Sequence, residues 1–172
     1  NSIGEAKQYL IDNKVCKNLN PQMIQAVAIY LYNPALASDK SKMIEVPSEA
    51  KCPVCGMYVS KYPMWVAQIK INDGQVHYFD GVKDMMKFYF EPGKYEHKHN
   101  NDQITELNVT DYYTLESIDG KKAFYVIGSN VYGPMGEELI PFKDEEQAKK
   151  FMTDHFGKSI LKFEEIKKEI LF

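Results

Sequence analysis

At 172 residues, with 44% hydrophobic and 13% aromatic side chains, the chain carries enough apolar material for one compact domain or two small lobes, which excludes disorder as its default state. A net charge of −3 with both signs interspersed offers no basic face for nucleic acid, and no apolar run approaches the ~20 residues that cross a bilayer. Three cysteines are too few for a disulfide framework.

The first predicted element is a helix over Ser2 to Asn13, with Ile3, Ala6 and Leu10 on one face. A second runs from Pro21 to Tyr32 and is started by Asn20-Pro21. Met23, Val27, Tyr30 and Leu31 form a stripe on it at helical spacing, so Met23 reads as core, and Cys16 reads as a small buried side chain. From Asn33 to Ala50 the periodicity lapses while Pro34, Ser38, Ser41, Pro47 and Ser48 accumulate. The expected organisation is therefore a helical extension and linker over 1–50, followed by a domain over 51–172. No signal peptide opens the sequence, so an exported protein would be a mature or trimmed form.

That domain begins with Cys52-Pro53-Val54-Cys55-Gly56-Met57, two thiols and a thioether within six positions. Thiolate and thioether sulfur are polarisable and favour Cu(I) over hard cations, and glycine lets both sulfurs of the Cys-Gly-Met step turn toward one ion. The motif has other readings: half of a zinc site, the active pair of a thioredoxin-like oxidoreductase, or a local disulfide. An oxidoreductase would place the pair at the start of a helix, where backbone N–H groups lower the thiol pKa. Here Gly56 and the apolar alternation that follows predict a turn feeding strands.

Trp65, Ala67, Ile69 and Ile71 alternate with Val66, Gln68, Lys70 and Asn72, which predicts a strand with one buried face. Asn72-Asp73-Gly74 supplies a hairpin turn, and Val76 to Phe79 returns as partner. A helix from Val82 to Phe90 follows, stopped by Pro92-Gly93. Forty residues of this kind bury their own face poorly, so a second unit is expected. It is predicted from a hairpin of Tyr113 to Ile118 with Ala123 to Gly128 about Asp119-Gly120, a strand over Leu139 to Phe142, and a helix capped by Asp144 that runs to about Phe156 and ends at Gly157. Hairpin, strand ending in phenylalanine and helix recur in both, so the fold class is α+β with two related lobes, about 51–97 and 104–160, packed together. In the tail, Ser159 to Phe163 reads as a final edge strand, whereas Phe163, Ile166, Ile170 and Leu171 also fit a short terminal helix.

Cys52-x-x-Cys55-Gly56-Met57, the Tyr78-Phe79-Asp80 strand end, Tyr125-Val126-Ile127-Gly128-Ser129 and Gly133-Pro134-Met135-Gly136 occur in that order, and in this the chain resembles the NosL family of nitrous oxide reductase accessory proteins over about Lys51 to Ile166. The resemblance implies two ββαβ lobes with a fold relationship to part of the organomercurial lyases. It also implies a periplasmic, often membrane-anchored, Cu(I)-binding chaperone without catalytic turnover. The implied acceptor is nitrous oxide reductase, whose copper-sulfide centre is assembled outside the cytoplasm, with other copper-delivery proteins as further partners. The helical extension before Asn33 is no part of the family pattern, and no lipid-attachment cysteine is visible.

The candidate metal ligands are Cys55 as thiolate, Met57 two residues on, and Met135 from the second lobe, with Cys52 as a further ligand, exchange ligand or disulfide partner. Met135 sits in a glycine-flanked turn where a long apolar side chain has little local reason to be, its alternative being a plug between the lobes. His77 either caps the ion or lies at the sheet edge. His97 and His99 read as solvated loop residues, because their single-residue spacing does not suit structural zinc. Met64, Met85 and Met86 read as core, with Met64 alternatively forming an apolar rim beside Trp65.

Overall fold

The computed structural model describes residues 3–13, 24, 27, 42–95, 97 and 100–171. The chain divides into two units, Asn1–Lys42 and Met43–Phe172. In the first, helix α1 (Ile3–Asp12) appears where the apolar spacing predicts it, with Leu10 buried and Gln8 Nε2 donating to Asp12 Oδ1 at 2.7 Å. Ile24 and Val27 are helical; the rest of the expected second helix, with Met23 and Cys16, lies outside the described residues.

The second unit contains two lobes of the same build. In the first, β1 (Ala67–Ile71) is central, pairing antiparallel with β2 (Val76–Phe79) and, across the connecting helix α2 (Val82–Phe90), with β3 (Ile104–Thr110). A fourth strand, β4 (Ser117–Asp119), extends the sheet beyond β3. In the second lobe, β5 (Phe124–Ile127) is central. A two-residue-per-strand hairpin of β6 (Tyr132–Gly133) and β7 (Gly136–Glu137) precedes β8 (Ile140–Phe142), helix α3 (Glu145–Asp154) and β9 (Ser159–Lys162). The order β8-β5-β9 repeats β2-β1-β3, so each lobe is a ββαβ unit with its first strand in the middle. The duplication expected from the sequence is present in the topology.

Several details depart from the sequence reading. Ala67, Gln68 and Ile69 are all buried, so β1 is covered on both faces rather than one. Trp65 precedes the strand in a 3₁₀ turn, Pro63–Trp65. β3 was not expected, because Thr105 and Glu106 stand together on the exposed side and a register shift at Lys70/Ile71 interrupts the alternation. The hairpin about Asp119-Gly120 does not form, since β4 pairs with β3 and β5 with β8 and β9. Buried Asp111 gives one reason: its carboxylate accepts from the N–H groups of Tyr113 (3.0 Å), Thr114 (2.8 Å) and Lys143 (2.7 Å), folding most of the expected strand into a turn. Gly120 then carries the chain between sheets, its N–H donating to Leu107 O at 2.7 Å and its carbonyl accepting from Tyr125 Oη at 2.6 Å.

Asp144 caps α3 as predicted, accepting from the N–H groups of Glu146 (2.9 Å) and Gln147 (3.1 Å). Asp144→Ala is expected to lower the unfolding free energy by about 1 kcal/mol in urea titrations without changing metal affinity. The helix ends at Asp154, three residues before the expected glycine, with Phe156 in the left-handed region at φ 56° and the Gly157 N–H donating to Met152 O. Of the two readings of the tail, the edge strand is realised as β9, followed by 3₁₀ turns at Phe163–Glu165 and Lys168–Ile170.

Two apolar clusters hold the unit. The larger joins Ile69, Phe79, Met85, Met86 and Phe88 of the first lobe to Tyr125, Leu139 and Ile166, with Ile44, Val46 and Cys55 packed at its edge. The smaller gathers Val126, Ile140, Phe142, Ala148 and Phe151 between the second sheet and α3. The shared first core fixes the lobes against each other and leaves the cysteine turn at its margin.

Candidate metal centre

The Cys52–Met57 turn is closed by its own backbone. Cys52 N–H donates to Met57 O at 2.9 Å, Gly56 N–H donates to Cys52 O at 2.8 Å, and Lys51 bridges Tyr58. Gly56 stands at φ 78°, a left-handed conformation that favours glycine. The turn aims the N–H groups of Val54 and Cys55 at the Cys52 sulfur, and that of Met57 at the Cys55 sulfur. Such donors favour bound thiolate over thiol. No α-helix begins at the motif, so the helix N-terminus that an oxidoreductase uses to activate its thiol is not built here.

β2 and α2 bring the other half of the site. Asp80 follows the last residue of β2, and Asp84 lies in the first turn of α2, four residues on. Cys55 Sγ donates to Asp80 Oδ1 at 3.1 Å, and Cys52 Sγ donates to Asp84 Oδ2 at 3.7 Å. One ligand atom from each of the four residues lies within 4.8 Å of the other three. Cys52, Asp80 and Asp84 are at most 2% exposed, and Cys55 is partly exposed. Burial raises the Cys52 thiol well above its usual range and pushes that of Cys55 up to about 12, with Asp80 adding to both and the backbone donors opposing. Both cysteines are free. Asp84 Oδ1 lies 3.5 Å from the Lys87 ammonium, which leaves Oδ2 turned to Cys52. Asp80 Oδ2 is buried with no hydrogen-bond partner.

The candidates from sequence fall unevenly around this cluster. Cys52 and Cys55 form its sulfur half. Met57 is half-buried on the same turn, and its carbonyl holds Cys52 in place. Met135 stands in the β6–β7 turn at 46% exposure, so it is no plug between the lobes. Its hairpin is tied to the start of α2: Lys83 Nζ donates to Met135 O at 2.9 Å, and buried Glu138 accepts from the N–H groups of Lys83 (2.5 Å) and Leu139 (2.9 Å). Gly81 and Gly133 make room for that carboxylate, since a Cβ on Gly81 would run into it and one on Gly133 would sit 3.2 Å from it. Glu138 thus caps α2 from the opposite lobe, where Gly81 has no side chain to do so.

His77 is not a member of the cluster; its ring packs against Phe88 at 4.9 Å and His97 at 4.3 Å. His97 is therefore an aromatic packing partner rather than a solvated loop residue, and His99 lies outside the described residues. Met85 and Met86 are fully buried as expected, while Met64 is exposed. Sequence reasoning missed Asp80 and Asp84. Their one local signal is the four-residue spacing of two carboxylates where a strand passes into a helix, Asp80 just ahead of α2 and Asp84 in its first turn.

A two-lobed α+β scaffold that gathers two thiols and two carboxylates at one point is built as one able to hold a metal ion. Residues 43–171 match the NosL family, and the chain belongs to it. It is 30% identical over 129 residues to the copper-binding lipoprotein NosL of Stutzerimonas stutzeri, covering 70% of this chain and 64% of that relative's length. The crystal structure of the copper chaperone NosL from Shewanella denitrificans superposes with a TM-score of 0.61 at 25% identity, covering 74% of this chain and 98% of that one. Those relatives are named for binding or carrying copper. No helix among the described residues is long and apolar enough to cross a membrane.

Proposed function

We propose that this protein holds Cu(I) through Cys55, Met57 and Met135, with Cys52 as an additional or exchanging thiolate, and passes the ion to an acceptor protein. The observation that carries the reading is the convergence of both cysteine sulfurs on a glycine-broken turn in a member of the NosL family. Met135 is supported by connection. Cys55 meets Asp80, Asp80 leads into α2, and the first turn of α2 holds the Met135 hairpin through Lys83 and Glu138.

Sulfur donors in low number suit transfer. A Cu(I) ion held by two or three of them accepts an incoming ligand before releasing an old one, so it moves without passing through water. By its kinship with the Stutzerimonas lipoprotein and the Shewanella chaperone, the protein acts in the periplasm, anchored at a membrane, and supplies the copper-sulfide centre of nitrous oxide reductase. Incubating the Cu(I)-loaded protein with copper-free nitrous oxide reductase tests this, with copper appearing in the reductase at the chaperone's expense. Transfer no faster than from a small chelate at equal free Cu(I) would overturn the delivery role.

The thiol shifts give a pH dependence of definite sign. Cu(I) displaces the proton of each thiol it binds, and the Cys55 thiol is raised to about 12, so affinity falls as pH falls throughout the neutral range. The expected slope is about tenfold per pH unit when Cys55 alone ligates and about a hundredfold when Cys52 joins it. Competition titrations between pH 6 and pH 9 read the slope directly, and an affinity independent of pH would remove thiolate from the ligand set.

A further inference from the structure

Lys51 and Tyr58 stand at the two ends of the cysteine turn, bridged to each other, and Lys61 follows in a 3₁₀ turn, Val59–Lys61. Both lysine side chains fold onto one ring: Lys51 Nζ lies 4.9 Å from the centroid of Tyr58 and Lys61 Nζ 5.5 Å. Among the described residues Tyr58 alone takes two ammonium groups, whereas Tyr95 and Phe124 take one each. All three residues of the group are exposed, Tyr58 at 41%. Neither lysine has a carboxylate at ion-pair distance among the described residues, in contrast to Lys70, Lys149 and Lys168, which reach Glu106, Glu145 and Glu91. Glu49, the acid nearest Lys51 in sequence, accepts from Ser48 Oγ at 2.9 Å instead.

Two ammonium groups gathered at one ring repel each other, and the negative face of the ring offsets only part of that repulsion while limiting where they can go. A carboxylate arriving from outside relieves the remainder. Because the ring already holds both cations, little side-chain freedom is lost when it arrives. We propose that Lys51, Tyr58 and Lys61 form a docking face for an acidic protein surface, that of the partner which exchanges copper with the Cys52–Met57 turn. The attraction is local, since the chain as a whole carries a net charge of −3 and does not draw acidic proteins from a distance.

Position leads from charge to partner. Lys51 directly precedes Cys52 and Tyr58 directly follows Met57, so a protein resting on the two side chains lies beside both ends of the turn, within which Cys55 is partly exposed. Backbone bonds from Cys52 N–H to Met57 O and from Val59 N–H to Ala50 O make the face and the turn one piece. An acceptor held there keeps its own ligand near Cys55 for as long as a shared intermediate needs. Charges at such a rim set how fast partners meet and which are refused. The docking face stands on these contacts, and only its cargo rests on the proposed Cu(I) function.

The probe is a fluorescein-labelled peptide carrying a Met-x-x-Met copper motif flanked by glutamates, compared with its glutamine-flanked twin. Association with the reduced, copper-free chain is read by anisotropy, and Cu(I) transfer from the loaded chain by stopped flow. The glutamate peptide is expected to bind about tenfold tighter at about 20 mM salt, with the two converging by about 500 mM. Changing both lysines, Lys51→Glu with Lys61→Glu, should abolish the preference. Lys51→Arg with Lys61→Arg should keep it, because guanidinium also stacks on a ring, and Lys149→Glu on α3 should leave it unchanged. Tyr58→Leu keeps both charges but frees them, and should reduce the preference about threefold. Equal binding of the two peptides, or a preference that survives the double Glu variant, overturns the docking face whatever the copper result. Capture by vesicles of phosphatidylglycerol and phosphatidylcholine that the double Glu variant loses, with the two peptides bound alike, would overturn it in favour of lipid headgroups. A glutamate preference without Cu(I) transfer would uphold the face and overturn the delivery reading instead.

Discussion

Cys55→Ser is expected to weaken Cu(I) binding by about 1000-fold, a loss of about 4 kcal/mol. A serine hydroxyl stays protonated and is a hard donor, so the substitution removes the one thiolate common to every ligand set while changing little volume. The turn survives, because the hydrogen bonds that close it are made by the backbones of Cys52, Gly56 and Met57. Far-UV circular dichroism of the variant should therefore match the parent. Met57→Leu and Met135→Leu are expected to cost about tenfold each, since a neutral thioether contributes less than a thiolate. Cys52→Ser distinguishes the two roles open to Cys52: a ligand gives a loss comparable with that of Cys55→Ser, an exchange ligand a small loss in affinity with slower transfer. Chelator competition with reduced protein reads all four, and a Cys55→Ser variant that binds as tightly as the parent would end the copper assignment.

The candidate site was legible in sequence where its chemistry is local and illegible where it depends on folding. Six consecutive residues give away the sulfur half, because a glycine between cysteine and methionine has a direct backbone meaning at φ 78°. Asp80 and Asp84 lie 25 and 32 residues from their cysteine partners, and no periodicity links them to the motif. The same division runs through the fold. Asn72-Asp73-Gly74 makes its hairpin because the turn is decided by its own residues, with Gly74 at φ 89°. Asp119-Gly120 offers the same local signal and yields none, because Asp111 folds Tyr113 and Thr114 into a turn and the Gly120 N–H is taken by Leu107 O on β3. Strand β3 is hidden for a related reason: its pairing with β1 slips by a residue, which scrambles the alternation.

The proposed copper site requires the two lobes to act as one body. Cysteines and carboxylates come from the first lobe, whereas Met135 comes from a short hairpin of the second that has little sheet of its own. Four backbone hydrogen-bonding positions cannot hold such a hairpin in place; Lys83 and Glu138 anchor it to the helix that carries Asp84. Without that anchor, each turn would keep its local shape, but the Met135 hairpin would lose its hold on α2. A ligand set assembled from separate segments depends on its supporting contacts as much as on the donors themselves.

Glu138 should therefore control both stability and the copper site, with a pH signature. Burial outweighs the N–H groups of Leu139 and Lys83 and the Lys83 charge, and raises its carboxyl from 4.5 to about 8. Between those values the folded protein keeps a proton that the unfolded chain has lost. Its stabilising contribution is thus complete below pH 4.5, declines as pH rises, and is gone above about 8, with a slope of at most about 1.4 kcal/mol per pH unit. Glu138→Gln keeps an oxygen for Lys83 and Leu139 but cannot ionise, so its stability in urea should stay level from pH 5 to pH 8.5 while that of the parent falls. Parallel curves would mean that the carboxylate is already ionised at pH 5. Glu138→Ala leaves two buried N–H groups without an acceptor and is expected to cost about 3 kcal/mol at pH 5.5. It should also weaken Cu(I) binding about as much as Met135→Leu, and add little when combined with it, because both changes remove the same sulfur from the ion. Full additivity in that cycle would show that Glu138 stabilises the lobes without positioning Met135.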